Sequence, residues 1–558
     1  MRLMSTSIEA FQTMVNERNP RFFDPVPFVQ RDIDRIYNRE QVTVGMPMGA
    51  EIMLNALSRE HTVAIVGAQL GDEGKGRIVD NKLEQILSIP GMQMAYVVRF
   101  QGGSNAGHTV YTPEGIKIPL HQVPSSINED RAVGIMDSGM VVHMEDLKTE
   151  IEDGEAIVGD LRNRLYLSEE AKLVTDLERA EEVVNRFKSS GKSGGGTGRG
   201  ISPTYANDMS RLGTHVKDLM AENWREVYAA RYDRYAKEFA VHNYDIATMQ
   251  VPDLRATRDQ KKAVTRNLGS MDEFLDRLES VRNWYIERDA SQPDKPSMIQ
   301  NTFLMHQEMY NNLNAGVLFE GAQAVGLHHS IGRLPDVTSS DTSINGIAAG
   351  TKLWKAQDIR EKIGVMKLTY MSSVGSVHMA TDLMLPRGAV ADDKALTQEQ
   401  RFGLWVREEA HEYGTTTGRP RDICLLDLEL MRYNIRMGGI EMLAGTHLDI
   451  SREDMPIKVC THYVDSTGQR VPYQPGVEHQ ENLTPVYVDL PGWDGAAAQR
   501  AGTYDELPDN AKKFLAFVQA QTATPITAVT NGPHREQLVE IPRWDMPPKQ
   551  FQGSGTIL

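Results

Sequence analysis

The stretch Val63–Asp80, VAIVGAQLGDEGKGRIVD, places three glycines, two acids and a lysine in one turn between an apolar run and helical spacing. Gly71, Gly74 and Gly76 let the backbone approach a ligand and aim N–H groups at it, and Lys75 adds a point charge for phosphate oxygens. Neither common phosphate template fits. GxxxxGK[ST] fails because Gln69 stands where its first glycine belongs and Gly76 follows Lys75, and GxGxxG is absent. Asp72 and Glu73 are the anomaly. A carboxylate beside phosphate is repelled unless it holds a divalent cation or works as a base. An ordinary strand-to-helix turn with solvated acids has the same outline, so the turn alone leaves its chemistry open.

A second loop narrows it. RFQGGSNAGHTV, Arg99–Val110, gathers Gly102, Gly103, Asn105, Gly107, His108 and Thr109 behind another apolar run. A lone histidine is usually structural, but one beside a phosphate-sized glycine loop suits proton sharing near neutral pH.

Elements must hold these loops. TVAIVG, AYVVRF, GVLFEG, IGVMKLTYM, IEMLAG and PITAVT read as buried strands, several ending in glycine or a polar residue and alternating with helical spacing. That pattern predicts an α/β fold with a mostly parallel central sheet, whose ligands gather at the strands' carboxyl ends. After the first turn, Val79, Leu83, Ile86 and Leu87 recur at helical spacing. Residues 1–60 read as a helical N-terminal extension, 61–545 as the catalytic domain with a charged helical subregion at 217–314, and 546–558 as a loosely held tail.

Composition limits the partners. The 558 residues carry 60 basic and 76 acidic side chains, net −16, with 40% hydrophobic and 24% charged residues. That balance argues against coating nucleic acid or a membrane surface, which needs a cationic footprint. Two cysteines, Cys424 and Cys460, are too few for a disulfide scaffold or a cysteine zinc site. No stretch approaches the roughly 20 apolar residues of a membrane span, and the opening residues lack a signal-like apolar core. A soluble protein of a reducing, cytoplasmic compartment is expected.

GDEGKG, QGGSNAGHT, LHQVPSSI, GGTGRGISPTY, FEGAQ, VTSS, GTTTGRPRD and TNGP occur in this order. Together they resemble the adenylosuccinate synthetase family from about Thr62 to about Pro542. The resemblance implies a single large α/β domain, laid out like the P-loop NTPases, with helical insertions. It also implies a homodimer and a ligase that joins IMP to L-aspartate with GTP and Mg2+. On that resemblance Asp72 takes the N1 proton of the purine and ligates Mg2+, and the 6-oxygen, helped by His108, attacks the γ-phosphate. Aspartate then displaces phosphate from the 6-phosphoryl intermediate.

The same resemblance assigns the remaining residues. Asp72, His108, Lys75 and Gln323 would be catalytic, and the Gly107 backbone would join Asp72 on the metal. Gly71, Glu73, Gly74, Gly76, Thr109, Arg421, His447, Asp449, Thr530, Asn531 and Gly532 would hold GTP. Asn105, Ala106, Thr197, Thr338 and Arg419 would hold IMP, with Arg211 crossing a dimer interface to the partner's IMP phosphate. Thr415, Thr416, Thr417, Arg419 and Arg421 would grip aspartate, two guanidinium forks suiting two carboxylates.

Several positions depart from the family pattern. His447 replaces a lysine beside Asp449, Asn531 alters the Ser-Thr-Gly-Pro motif, Ser104 replaces a frequent histidine, and Pro420 replaces an arginine. SSVGSVHMATDL and VGLHHSIGRLPD differ from the family's usual segments. These departures keep two alternatives open: a relative that aminates dGMP with aspartate using ATP or dATP, and a nucleotide-binding regulator without turnover. Retention of Asp72 favours the IMP reaction.

Overall fold

The apolar run before the glycine turn forms strand β1, Thr62–Gly67, buried along its whole length. A strand covered on both faces has no polar side to alternate with, which is why the run is continuous. Nine further strands complete its sheet in the computed structural model: β2 Met94–Arg99, β3 Ala132–Met136, β4 Leu165–Ser168, β5 Ile299–Gln300, β6 Ala315–Glu320, β7 Glu361–Lys367, β8 Met442–Thr446, β9 Ile526–Thr530 and β10 Leu538–Glu540. Their order is β5-β4-β3-β2-β6-β1-β7-β8-β9-β10. Every pairing is parallel except β9 with β10.

The structure describes residues 60–112, 115–188, 197–260, 262–373, 379–386, 395–413, 420–476 and 483–542. The chain divides into two units, Met1–Glu60 with Tyr310–Leu313, and His61–Met309 with Asn314–Leu558; the second holds the sheet and the site. The helical extension expected at 1–60, apart from Glu60, and the tail expected at 546–558 lie outside the described residues.

Strand β1 lies between β6 and β7, and the chain leaves β1 toward β2 but leaves β7 toward β8, at opposite sides of the sheet. That switch point opens a crevice at the strands' carboxyl ends. Register brings the crevice residues level: Gly67 pairs with Val365, and Glu320 pairs with Arg99. Helix α1, Lys75–Leu87, follows the turn and buries Ile78, Val79, Leu83, Ile86 and Leu87. These pack with Val63, Ile65 and Val97 of the sheet. Each such side chain contributes about 1.5–3 kcal/mol by leaving water, so α1 is anchored against the sheet from its second turn onward.

One strand expectation needs correction. IGVMKLTYM is not a single strand: β7 ends at Lys367, and Tyr370–Ser373 pairs antiparallel with Asp422–Asp427 in a second sheet. Leu368 N still donates to Thr446 O, but the Thr369 hydroxyl donates to Ile450 O as the chain crosses over. Apolar continuity cannot report which sheet a residue joins. The second sheet also contains Ile457–Val464, Arg470–Val471 and Thr484–Leu490. Within 217–314 the long helices are Trp224–Ala240 and Met271–Ala290, and Gln250–Pro252 pairs with Thr265–Asn267 as a hairpin.

Candidate active site

The first turn is built by its own acid. Glu73 is fully buried, and its Oε1 accepts from Gly71 N at 2.7 Å and Gln69 N at 3.3 Å. Its Oε2 accepts from Lys75 Nζ at 2.9 Å. The Gly71 N–H expected to face a ligand is therefore turned inward onto Glu73, because a buried carboxylate needs donors more than an open turn does. Gly67 has no room for a side chain: an added Cβ would lie 2.4 Å from Glu73 Oε2 and 2.6 Å from Gln323 O. Asp72 sits at φ 54, a left-handed conformation that non-glycine residues adopt at a strain of about 1–3 kcal/mol. That backbone carries the Asp72 carboxylate out of the turn while Glu73 points in.

Asp72 meets Arg421. The guanidinium Nη2 lies 2.5 Å from Asp72 Oδ2, and Nη1 donates to Glu412 Oε2 at 2.8 Å. Glu412 is buried and also accepts from the Tyr370 hydroxyl at 2.6 Å and from Lys367 Nζ. Burial opposes its charge, but Lys367 and Arg421 hold the Glu412 carboxyl well below the usual range.

The second loop faces the first across one cavity. Gly71, Asp72, Lys75, Asn105, Ala106, Gly107, His108 and Gln323 all line it, with Arg99 and Glu320 from the ends of β2 and β6. Burial, reinforced by Arg99 and His121, holds the His108 imidazole well below its ordinary range, so it is neutral at pH 7. Arg99 Nη1 lies 3.3 Å from His108 Nδ1 and can only donate, which leaves the imidazole proton on Nε2. That Nε2 has no hydrogen-bond partner and lies 3.7 Å from Glu320 Oε1, itself engaged by Ser125 Oγ at 2.8 Å. Asn105 Oδ1 and both polar atoms of the Gln323 amide are likewise buried and unpartnered. Unpaired buried groups are unfavourable unless a ligand completes them. These four atoms outline a polar ligand with donors and acceptors.

The other expected residues lie around this centre. Thr338 N donates to Leu327 O, and Leu327 lines the cavity. Gly76 begins α1 close to Ser125 Oγ and the Thr109 carbonyl. Thr197 is exposed, and the following loop is pinned by Glu182, which accepts from Gly198 N at 2.8 Å and Gly200 N at 2.7 Å. Arg211 is exposed at φ 65, between exposed Met209 and Leu212. It is not among the residues that line its own chain's cavity. Thr415, Thr416, Thr417 and Arg419 lie outside the described residues; Tyr413 and Pro420 form an antiparallel bridge on either side of them.

A third part lies at the ends of β8 and β9. Thr446 Oγ1 donates to Glu73 O, joining β8 to the phosphate-type turn. Leu448 N donates to Thr530 O, which sets His447 and Asp449 beside Thr530, Asn531 and Gly532. Asn531 is fully buried and its Nδ2 bonds Ala498 O at 2.7 Å and Ala501 O at 2.8 Å, so only Oδ1 remains unpartnered. Burial raises the Asp449 carboxyl, and burial together with Lys367 pushes His447 down to about 4.

Sequence reasoning missed Glu412, Tyr370, Lys367, Arg99 and Glu320. For Arg99, Glu320 and Lys367 the signal was present, charged residues at the ends of otherwise buried strands, which occur there only when paired; Tyr370 and Glu412 carried no such local signal.

An α/β sheet with a glycine turn, a lysine and unpaired amides at its switch point defines a protein that handles a phosphorylated polar ligand. The family model for adenylosuccinate synthetase matches residues 64–539. Adenylosuccinate synthetase of Clostridium botulinum (strain Eklund 17B / Type B) is 34% identical over 482 residues, 86% of this chain and 98% of that protein. The Plasmodium falciparum protein of that name is 30% identical over 491 residues, 87% and 96% of the two chains. A fully ligated adenylosuccinate synthetase structure from Plasmodium falciparum superposes with TM-score 0.70 at 29% identity, covering 86% of this chain and 100% of that one. The chain belongs to the adenylosuccinate synthetase family, ligases of purine biosynthesis. No helix among the described residues is long and apolar enough to cross a membrane.

Proposed function

We propose that this chain joins L-aspartate to IMP with hydrolysis of GTP, forming adenylosuccinate through 6-phosphoryl-IMP, as a cytoplasmic homodimer. The observation that carries this reading is the arrangement of Asp72, Lys75, neutral His108, the unpartnered Asn105 Oδ1 and the unpartnered Gln323 amide around one cavity. Asp72 accepts the N1 proton of the hypoxanthine. The electron pair moves to O6, where the His108 Nε2–H supports the developing charge, and O6 attacks the γ-phosphorus as GDP leaves. Lys75 stabilises the transferring phosphoryl group, whose transfer depends mainly on positioning and charge neutralisation. The aspartate amine then attacks C6 and phosphate departs, carrying off the oxygen that was a poor leaving group.

Asp72 and the Gly107 backbone line the same cavity, and among the described residues no group of three or more acids, histidines or cysteines forms a protein cage for a metal. One carboxylate with one carbonyl is the sparse set that Mg2+ completes with phosphate oxygens and water. When bound, Mg2+ would neutralise charge between the donor phosphates. Arg421 and Arg419 would receive the two aspartate carboxylates. The exposed Arg211, flanked by exposed Met209 and Leu212, supports a dimer in which each chain completes its partner's phosphate site.

The test is a matrix of purified protein, aspartate and Mg2+ with IMP or dGMP and with GTP, ATP or dATP, read by chromatography. Adenylosuccinate from IMP is the expected product. Product from dGMP alone would replace IMP as acceptor, and no product in any combination would favour a nucleotide-binding regulator.

A further inference from the structure

The base end of the proposed donor site contains a hydrogen-bond relay whose direction is fixed from the interior. Glu412 is an ionised, buried carboxylate between Lys367, Tyr370 and Arg421. Burial and Glu412 keep the Tyr370 phenol protonated, and its single proton points to Glu412 Oε1 at 2.6 Å. The Tyr370 oxygen can therefore only accept from its other neighbour, His447 Nδ1, at 3.4 Å. Burial, with Lys367 and Arg421, disfavours a second proton on this ring, while Glu412 opposes them. His447 is then neutral, with its hydrogen on Nδ1 and a lone pair on Nε2.

The place of this ring matters. His447 follows β8, whose Thr446 is bonded to the phosphate-type turn, and it precedes Asp449 on the same turn. The resemblance assigns His447 and Asp449 to the donor nucleotide, and a purine held at this turn would meet two acceptors, the Asp449 carboxylate and the His447 Nε2. A carboxylate across N1–H and the 2-amino group of guanine leaves O6 as the flanking atom on that edge. A lone pair facing O6 is mismatched, whereas the same lone pair facing a 6-amino group is matched.

We propose that His447 reads position 6 of the donor purine as a hydrogen-bond acceptor, so that the site admits ATP alongside GTP, with Tyr370 as the positioning residue. The inference rests on the proposed phosphoryl-donor role of this site. It deepens that role by naming the group that relaxes base choice: Asp449 favours guanine, His447 favours adenine, and the two oppose each other. A site with a donor for O6 would reject adenine by as much as about 10⁴-fold, because its polar groups would be left unpaired.

The experiment measures kcat/KM for GTP and ATP with IMP and aspartate, and in parallel the Kd of a non-hydrolysable analogue of each nucleotide. The wild-type GTP:ATP ratio is expected within about tenfold, the size of one hydrogen bond changed from matched to mismatched. His447→Lys should raise the ratio at least about tenfold by supplying a donor. Tyr370→Phe removes the acceptor that holds the Nδ1 proton, and should raise the ratio several-fold; a purely structural role would weaken both nucleotides equally. A wild-type preference for GTP beyond about a thousandfold, or a ratio unchanged in both variants, overturns the proposal. If IMP gives no turnover, the acceptor reading fails, while the analogue Kd ratios still decide the base choice.

Discussion

Arg421 bridges Asp72 and Glu412, with Nη2 2.5 Å from the Asp72 carboxylate and Nη1 2.8 Å from that of Glu412. The carboxylate proposed to take a proton from the purine is thus held by a residue proposed to receive aspartate. One guanidinium cannot serve both at full strength, so an arriving dicarboxylate competes with Asp72 for Arg421.

Asp72→Asn keeps the shape of the turn but cannot accept a proton. We expect kcat for ligation to fall by about 10²–10⁴-fold. Nucleotide affinity, measured by calorimetry, should change only several-fold.

Glu412→Gln leaves Lys367 in the interior without its carboxylate. Breaking a buried pair in this way should cost about 3–5 kcal/mol in urea denaturation. Lys367→Met added to Glu412→Gln should recover a substantial part of that loss, because no unpaired charge then remains buried.

Gly67→Ala places a methyl group against Glu73 Oε2 and the Gln323 carbonyl. Backbone at the crevice must shift, with an expected loss of about 1–3 kcal/mol. Turnover should fall further than stability implies, since both neighbours shape the cavity. Melting temperature and kcat measured together check this.

Two buried histidines should make the fold lose stability in acid, while Glu150, raised by burial to about 7, and Asp427, raised by burial to about 6, act in the opposite direction. Burial pushes His121 down to about 4, with Arg199 adding to the effect, and His447 reaches about 4 likewise. An unfolded histidine titrates near 6.5. Between pH 6.5 and 4 the unfolded chain takes up protons that the folded chain refuses. The stability these groups contribute is therefore full above 6.5 and is lost as pH falls, by at most about 1.4 kcal/mol per unit per group. His143 has the opposite sign: Asp146 and Asp176 outweigh its burial and raise it, so its contribution is present below 6.5 and fades above. Denaturation of the wild type and of His121→Asn at pH 7, 6 and 5 isolates the histidine contribution: the stability advantage of the wild type over the variant should shrink as pH falls.

What the sequence made legible follows from where each residue acts. Val63–Gly67 and the helical spacing of Val79, Leu83 and Ile86 are local patterns, and β1 and α1 form there as the spacing predicts. Asp72, Asn105 and His108, which line one cavity, stood out as candidates because glycine loops advertise themselves. Glu412 was not, since its importance lies in Lys367, 45 positions away, and Tyr370, 42 away, contacts that no local pattern encodes. The break at Leu368–Thr369 was hidden for the same reason, because a hydroxyl bond to Ile450 O steers the chain between sheets. Glu73 was misread in its details: its position in the turn was visible, but its inward direction depends on the fold around it.

The central claim is that Asp72 allows the purine 6-oxygen to accept a phosphoryl group before aspartate reacts. Positional exchange of ¹⁸O between the β,γ-bridge and the β-nonbridging sites of GTP, followed with IMP and Mg2+ and without aspartate, tests it most directly. The account predicts exchange that requires IMP in the wild-type protein and disappears in Asp72→Asn. Absence of exchange in the wild type, or equal exchange in the variant, would contradict it.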